Sequence, residues 1–132
     1  MANLGYTLQA PGYIQSQNED YMQSQNGEFF ATVQDDGNFC VYKGTYGNPQ
    51  GGAVWCAFNV AHNTCVYYAA MQTDGHLCVY NGTPNHQLGG ATWCSSTYGP
   101  EGQYFVELQG DGDLNVYAGT PQEPGKLMWS SG

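Results

Sequence analysis

Three segments of the chain set the same polar side chains at the same offsets: Gln34-Asp35-Asp36-Gly37-Asn38-Phe39-Cys40-Val41-Tyr42, Gln72-Thr73-Asp74-Gly75-His76-Leu77-Cys78-Val79-Tyr80 and Gln109-Gly110-Asp111-Gly112-Asp113-Leu114-Asn115-Val116-Tyr117. Gln and Asn amides donate and accept hydrogen bonds, a carboxylate only accepts, and a Tyr hydroxyl does either. A short rank of such groups can read two or three adjacent hydroxyls of a neutral sugar, since each hydroxyl also donates and accepts. The side chain before the Val is placed to touch the C–H face of the ring. The candidate binding residues are therefore Gln34, Asp36, Asn38, Cys40 and Tyr42 in copy one, Gln72, Asp74, His76, Cys78 and Tyr80 in copy two, and Gln109, Asp111, Asp113, Asn115 and Tyr117 in copy three.

Other chemistries fit these residues less well. Asp before Gly is a common turn residue that caps its own backbone, so scaffold duty alone could account for Asp36, Asp74 and Asp111. It does not account for the recurring Gln and Tyr. Asp111-Gly112-Asp113-Leu114-Asn115 begins like a calcium loop, but Val116 stands where that loop needs Gly and Gln122 where it needs Glu. There is no Cys-x-x-Cys spacing for zinc. His62, His76 and His86 share no repeat position and accompany no recognisable nucleophile motif. The sequence thus predicts no enzyme, no metal and no cofactor.

The repeat extends beyond the polar rank. Gln34 and Gln72 are 38 residues apart, and Gln72 and Gln109 are 37 apart. An aromatic pair precedes each Gln (Phe29-Phe30, Tyr67-Tyr68, Tyr104-Phe105) and is read as core. A Trp follows each (Trp55, Trp93, Trp129), and the connecting loops rhyme as Lys43-Gly44-Thr45, Asn81-Gly82-Thr83 and Ala118-Gly119-Thr120. A threefold repeat of this length decides the architecture. Period-two alternation within each copy argues for β-strands, and the 19 Gly of 132 residues argue for many turns. A two-residue turn at Asp-Gly would mix polar and apolar side chains on one face. A three-residue loop, Asp35-Asp36-Gly37 in copy one, pairs Val33 with Phe39 and makes both faces consistent, with Gly37, Gly75 and Gly112 in the left-handed position such loops need. The inner face is then Val33, Phe39, Val41 and Trp55; the outer is Gln34, Asn38, Cys40 and Tyr42.

One domain over residues 1–132 is expected: N-terminal strands within 1–25 (Tyr6-Thr7-Leu8, Gly12-Tyr13-Ile14, Tyr21-Met22), then repeats over approximately 26–62, 63–100 and 101–132. Net charge is −9 and the only cations are Lys43 and Lys126, which speaks against nucleic acid and anionic membrane surfaces as partners. No apolar run approaches a membrane span. The N-terminus lacks the basic start and apolar block of a secretory signal, so the sequence predicts either a cytosolic protein or a mature secreted domain. In a secreted chain, Asn81-Gly82-Thr83 is a glycosylation acceptor.

Cys40 and Cys56 are 16 residues apart, as are Cys78 and Cys94; copy three replaces both members, by Asn115 and Ser130. Their joint loss implies that the two positions touch. Two readings stay open: a cross-strand bridge in each of the first two copies, or pairs of neighbouring free thiols in a reducing compartment. Cys65 is left over in either.

The pattern Gln-x-Asp-x-Asn-x-Val-x-Tyr, present three times and followed each time by Trp, resembles the snowdrop (bulb) type of monocot mannose-binding lectins over residues 20–132. The resemblance implies an all-β, β-prism II fold: three antiparallel sheets about a pseudo-threefold axis. It implies that Gln contacts the mannose 3-hydroxyl, Asp and Asn the axial 2-hydroxyl and Tyr the 4-hydroxyl, with Val against the ring carbons. It implies mannose-type glycans as partners, and a homodimer or homotetramer formed by exchange of the Leu127-Met128-Trp129 strand. The chain departs from the pattern at Cys40, at His76 and Cys78, and at Asp113 and Asn115, which ranks the sites first, second, third. The alternative is a sugar-blind prism used for protein contact, defence or toxicity.

Overall fold

The structure, a computed structural model, describes residues 2–57 and 66–132. Cys65 and His62 lie outside the described residues. The described elements are all strands. Four short ones open the chain: β1 (Ala2–Asn3), β2 (Thr7–Gln9), β3 (Gly12–Gln15) and β4 (Asp20–Gln23). Copy one supplies β5 (Phe29–Val33), β6 (Phe39–Thr45) and β7 (Asn48–Cys56). Copy two supplies β8 (Tyr67–Met71), β9 (Leu77–Thr83) and β10 (His86–Cys94), and copy three β11 (Tyr104–Leu108), β12 (Leu114–Gly119) and β13 (Pro124–Ser130).

These strands form three sheets, ordered β1-β4-β5-β6-β7, β10-β9-β8-β3 and β13-β12-β11-β2. Each copy is a three-stranded meander that lacks a fourth strand, and the N-terminal segment supplies one to each. The assignment runs in reverse order: β4 joins copy one, β3 copy two and β2 copy three. Equivalent registers put Met22 opposite Ala31, Ile14 opposite Ala69 and Leu8 opposite Val106. All pairings are antiparallel except the two-residue pairing of β1 with β4. The architecture is an all-β, β-prism II fold.

Alternation turns one face of every sheet inward. Ala31, Val33, Phe39 and Val41 of copy one pack with Ala69, Met71, Leu77 and Val79 of copy two and with Val106, Leu108, Leu114 and Val116 of copy three in one buried cluster. Burial of a Leu- or Phe-sized side chain contributes about 1.5–3 kcal/mol. Where the sheets converge, Trp55, Trp93 and Trp129 meet edge to face in a triangle with centroid separations of 5.7, 5.3 and 5.5 Å. Such a tilted arrangement sets ring edges against neighbouring π faces. This is why a Trp recurs at one offset in each copy.

The three-residue loop forms in all copies. Val33 stands opposite Phe39; Gln34 N donates to Asn38 O at 2.8 Å and Gly37 N to Gln34 O at 2.9 Å. Gly37 has φ +88°, where a side chain is strained. The same pair of backbone bonds closes the loops at Gln72/His76 and Gln109/Asp113.

The expectation that Lys43-Gly44-Thr45 and its equivalents are connecting loops is corrected. All but Thr120 lie within β6, β9 and β12. The register slips just before this region, on either side of Tyr42, and Gly44 has φ +105° with Asn48 O only 2.7 Å from where a Cβ would stand. It is a glycine inside the strand, regularly paired with Pro49, the extra residues of the irregularity lying on β7, and the turn falls two residues later, at Tyr46-Gly47. The acceptor motif Asn81-Gly82-Thr83 therefore sits in a strand, not a loop.

Candidate functional site

Each loop presents its polar rank on the outer face of its sheet. Gln34 Nε2 donates to the Tyr42 hydroxyl, Gln72 Nε2 to that of Tyr80, and Gln109 Nε2 to that of Tyr117, the last at 2.8 Å. The Gln leaves the end of one strand and the Tyr the next, so the two side chains lean together along the hairpin. The bond fixes two long side chains in one arrangement and leaves the Tyr O–H and the Gln carbonyl oxygen turned to other partners.

The Asp of each copy holds its own loop. Asp36 Oδ1 accepts from Asn38 N at 2.9 Å, Asp74 Oδ1 from His76 N at 3.1 Å, and Asp111 Oδ1 from Asp113 N at 3.0 Å. The turn duty considered for these residues is real, and it uses one carboxylate oxygen. The second oxygen is left to accept from a ligand.

A stacked aromatic supports each site Tyr. Phe30 lies under Tyr42 at 5.3 Å, Tyr68 under Tyr80 at 5.3 Å and Phe105 under Tyr117 at 5.2 Å. The aromatic pairs were expected to be core throughout. Their second members are buried, but beneath the outer face and apart from the central cluster. The first members are core as expected: Tyr67 and Tyr104 lie in the central cluster and Phe29 packs against it. Tyr104 and Phe29 also reach a neighbouring loop, within 3.0 Å of where a Cβ on Gly75 and 2.8 Å of where one on Gly112 would stand. The pairs of copies one and three thus brace the site of their own copy and a loop of another.

The cysteines resolve into bridges. Cys40 is bonded to Cys56 and Cys78 to Cys94, in each case between directly opposed residues with Cα atoms 4.1 Å apart. Asn115 and Ser130 occupy the opposed positions in copy three. One expectation is corrected: Cys40 and Cys78 are each only 1% exposed. They are a floor under the polar rank, not a surface that meets a ring. Asn115 is buried too; its Nδ2 donates to Tyr117 at 3.2 Å, and its Oδ1 has no partner. An orphaned buried acceptor costs about 1–3 kcal/mol. Tyr117 already accepts from two amides, which uses both its lone pairs. The Asp113 carboxylate lies against Gly132 and is half-buried.

Copies one and two differ in what surrounds the rank. In copy two, a concavity of about 360 Å³ is lined by Gln72, Asp74 and Tyr80 together with Tyr13, Tyr68 and Gln87. Tyr13 is exposed and stands edge-on to Tyr68 at 6.0 Å. Tyr68 donates to Gln87 Oε1 at 3.1 Å. The loop is strapped from outside by Gly99 N to Asp74 O at 2.7 Å, Gly102 N to Thr73 O at 2.9 Å, and Thr97 Oγ1 to Gly75 O at 2.5 Å.

In copy one the residue equivalent to Tyr13 is Tyr21, and a further ring lies on it. Tyr46 stacks on Tyr21 at 4.6 Å and meets Phe30 edge-on at 5.8 Å. Tyr46 holds the turn position taken by Pro84 in copy two. It packs against Phe30, where copy two has Pro84 lining the concavity beside Tyr68. The concavity beside Gln34, about 470 Å³, is bounded by Tyr46 and does not include Tyr42.

Burial, followed by the neighbouring Tyr80 and Tyr13, raises the Tyr68 phenol above its ordinary pKa of 10.0. Burial, then Glu19, Asp35 and Tyr21, raises Tyr46. Sequence reasoning did not assign Tyr13, Tyr21, Tyr46, Tyr68 and Gln87 to the site. The legible signal was weak: Tyr13 and Tyr21 each precede a buried apolar residue in an alternating strand.

The fold recurs in solved lectins. Mannose-binding lectins from the monocot Gastrodia elata superimpose with a TM-score of 0.73 at 23% identity, covering 96% of each chain. A Marasmius oreades lectin matches at 0.72 and 28% identity, over 99% of this chain and 95% of the other. The mannose-specific agglutinin of snowdrop (Galanthus nivalis) bulbs, in complex with methyl-α-D-mannoside, matches at 0.69 and 25% identity, over 87% of this chain and 91% of the other. No protein-family profile matches the chain, and no curated protein matches it by sequence.

Proposed function

We propose that this protein is a non-catalytic lectin for mannose or mannose-containing glycans, and that copy two is its principal site. The observation that carries this reading is the threefold Gln-to-Tyr hydrogen bond set beside an Asp-capped loop. Such a set offers two acceptors and a donor to adjacent hydroxyls, without any cation. The likeness to lectins that bind mannose and mannosides supports the same ligand class. Copy two is favoured because its Gln, Asp and Tyr line one open concavity. This departs from the order suggested by motif fidelity, which puts copy one first. Copy three ranks last: Tyr117 has no free lone pair, and Asp113 replaces an amide donor with a second acceptor.

The same reading takes residues 1–132 as one domain, supported by the single core cluster shared by all three copies. It also takes two or four chains as the working unit. Among the described residues, β7, β10 and β13 end their sheets as unpaired edges, and exposed Val54, Leu88 and Leu127 lie on them. A single shallow site should bind at about 1 mM, or about 4 kcal/mol, and multivalency raises the working affinity. A glycan array with the untagged protein tests the ligand class. Selective capture of mannose-rich glycans is expected; a blank array would turn the search to protein partners on a sugar-blind prism.

A further inference from the structure

Among the described residues, one group of potential ligand atoms lies outside hydroxyl reading: a ring nitrogen of His76 and the Sγ atoms of Cys78 and Cys94 all fall within 4.8 Å of one another. Cys78 is buried, while His76 and Cys94 are half-buried, so solvent reaches the group from one side. The other copies lack it. Copy one has Asn38 at the position of His76 in its Cys40–Cys56 copy, and copy three has no cysteine.

We propose that His76, Cys78 and Cys94 form a redox-gated site for a borderline-soft divalent cation of the Zn²⁺ class. With the bridge closed, the sulfurs are spent on each other and hold no metal. A dithiol opens it by supplying two electrons and two protons: the S–S bond breaks, two thiols form, and the dithiol closes to its own disulfide. The cation then displaces the two thiol protons to water and gains two thiolates and a neutral imidazole. Tetrahedral zinc with Zn–S of about 2.3 Å and Zn–N of about 2.0 Å needs its ligand atoms roughly 3.5 Å apart. Once the S–S bond is broken, side-chain rotation brings the three atoms, already within 4.8 Å of one another, to that spacing. The fourth position falls on the exposed side, to water. Because Asp74 caps the backbone N–H of His76, the ligand sits on the very loop that carries the hydroxyl-reading residues. The metal site does not depend on the glycan reading.

The test uses the full chain, opened anaerobically with a phosphine, which takes up oxygen from water to become its oxide, and then titrated with Co²⁺ and Zn²⁺. One equivalent of Co²⁺ should bind with thiolate-to-metal charge-transfer absorption, Zn²⁺ should displace it, and the oxidised protein should show no such band. H76N recreates the residue of copy one and should weaken binding about tenfold or more, while N38H should add a second equivalent at Cys40 and Cys56. Far-UV circular dichroism follows the fold throughout. Binding unaffected by H76N, no binding after reduction, or binding only by a chain that reduction has unfolded would each overturn the proposal.

Discussion

Copies one and two share the loop, the Asp cap, the Gln-to-Tyr bond and the disulfide floor, yet they differ in the concavity beside the rank. The difference traces to one turn. Pro84 lines the concavity shared by Tyr13, Tyr68 and Tyr80, whereas Tyr46 folds back onto Tyr21 and Phe30. Copy one keeps the motif better, with Asn38 where copy two has His76. Fidelity of a polar rank therefore does not by itself make a site. The space above the rank is set by residues outside the motif, from the next turn and from the N-terminal strand.

The largest effect should come from Gln72→Ala. On this account it removes measurable mannoside binding by calorimetry, at least about tenfold weaker, since a hydrogen bond to a hydroxyl and the anchor of Tyr80 are lost together. Gln34→Ala should change binding by less than about twofold, and equal losses in the two variants would erase the distinction between the copies. Next in size is a test of the floor. Replacing Cys40 and Cys56 by Ser should cost about 3 kcal/mol in chemical denaturation, as expected for a loop of this length, and leave copy-two binding intact.

Tyr46→Ala should uncover copy one, raising the stoichiometry of mannoside binding from one to two per chain; an unchanged stoichiometry would remove Tyr46 as the reason for the difference. In copy three, Asn115→Val removes the orphaned buried Oδ1 and should stabilise the fold by about 1 kcal/mol, read as a shift in denaturation midpoint. The smallest effect is alkaline. Tyr68 and Tyr46 are raised in the folded state, so the unfolded chain loses these protons first. Their contribution is complete below about pH 10 and falls as pH rises through the folded values. Melting temperature should decline over that window, and less steeply in Tyr68→Phe.

Much of this was legible in the sequence for a definite reason. Parity along the strands fixed the three-residue loop, because only that loop puts Val33 opposite Phe39 while Gln34 stays outside. The joint replacement of Cys40 and Cys56 in copy three placed them opposite each other, although composition could not decide between thiols and a bridge. What was not legible depends on contacts between distant segments. Gly44-Thr45 reads as a turn because local sequence does not distinguish a positive-φ glycine inside a strand from a turn glycine. Tyr13 reaches copy two, and Tyr21 copy one, only because the N-terminal strands are dealt to the sheets in reverse order. The burial of Cys40 follows from Gln34 and Tyr42 meeting above their hairpin, which no alternation pattern encodes.

The central claim is that the open rank of copy two is the mannoside site, and side-chain amide NMR tests it most directly. With methyl-α-mannoside titrated into ¹⁵N-labelled protein, the Gln72 Nε2 resonances should move and saturate in step with the backbone signals of Asp74 and His76, while those of Gln34 and Gln109 stay in place. Shifts centred on Gln34, or none in any copy, would contradict the account.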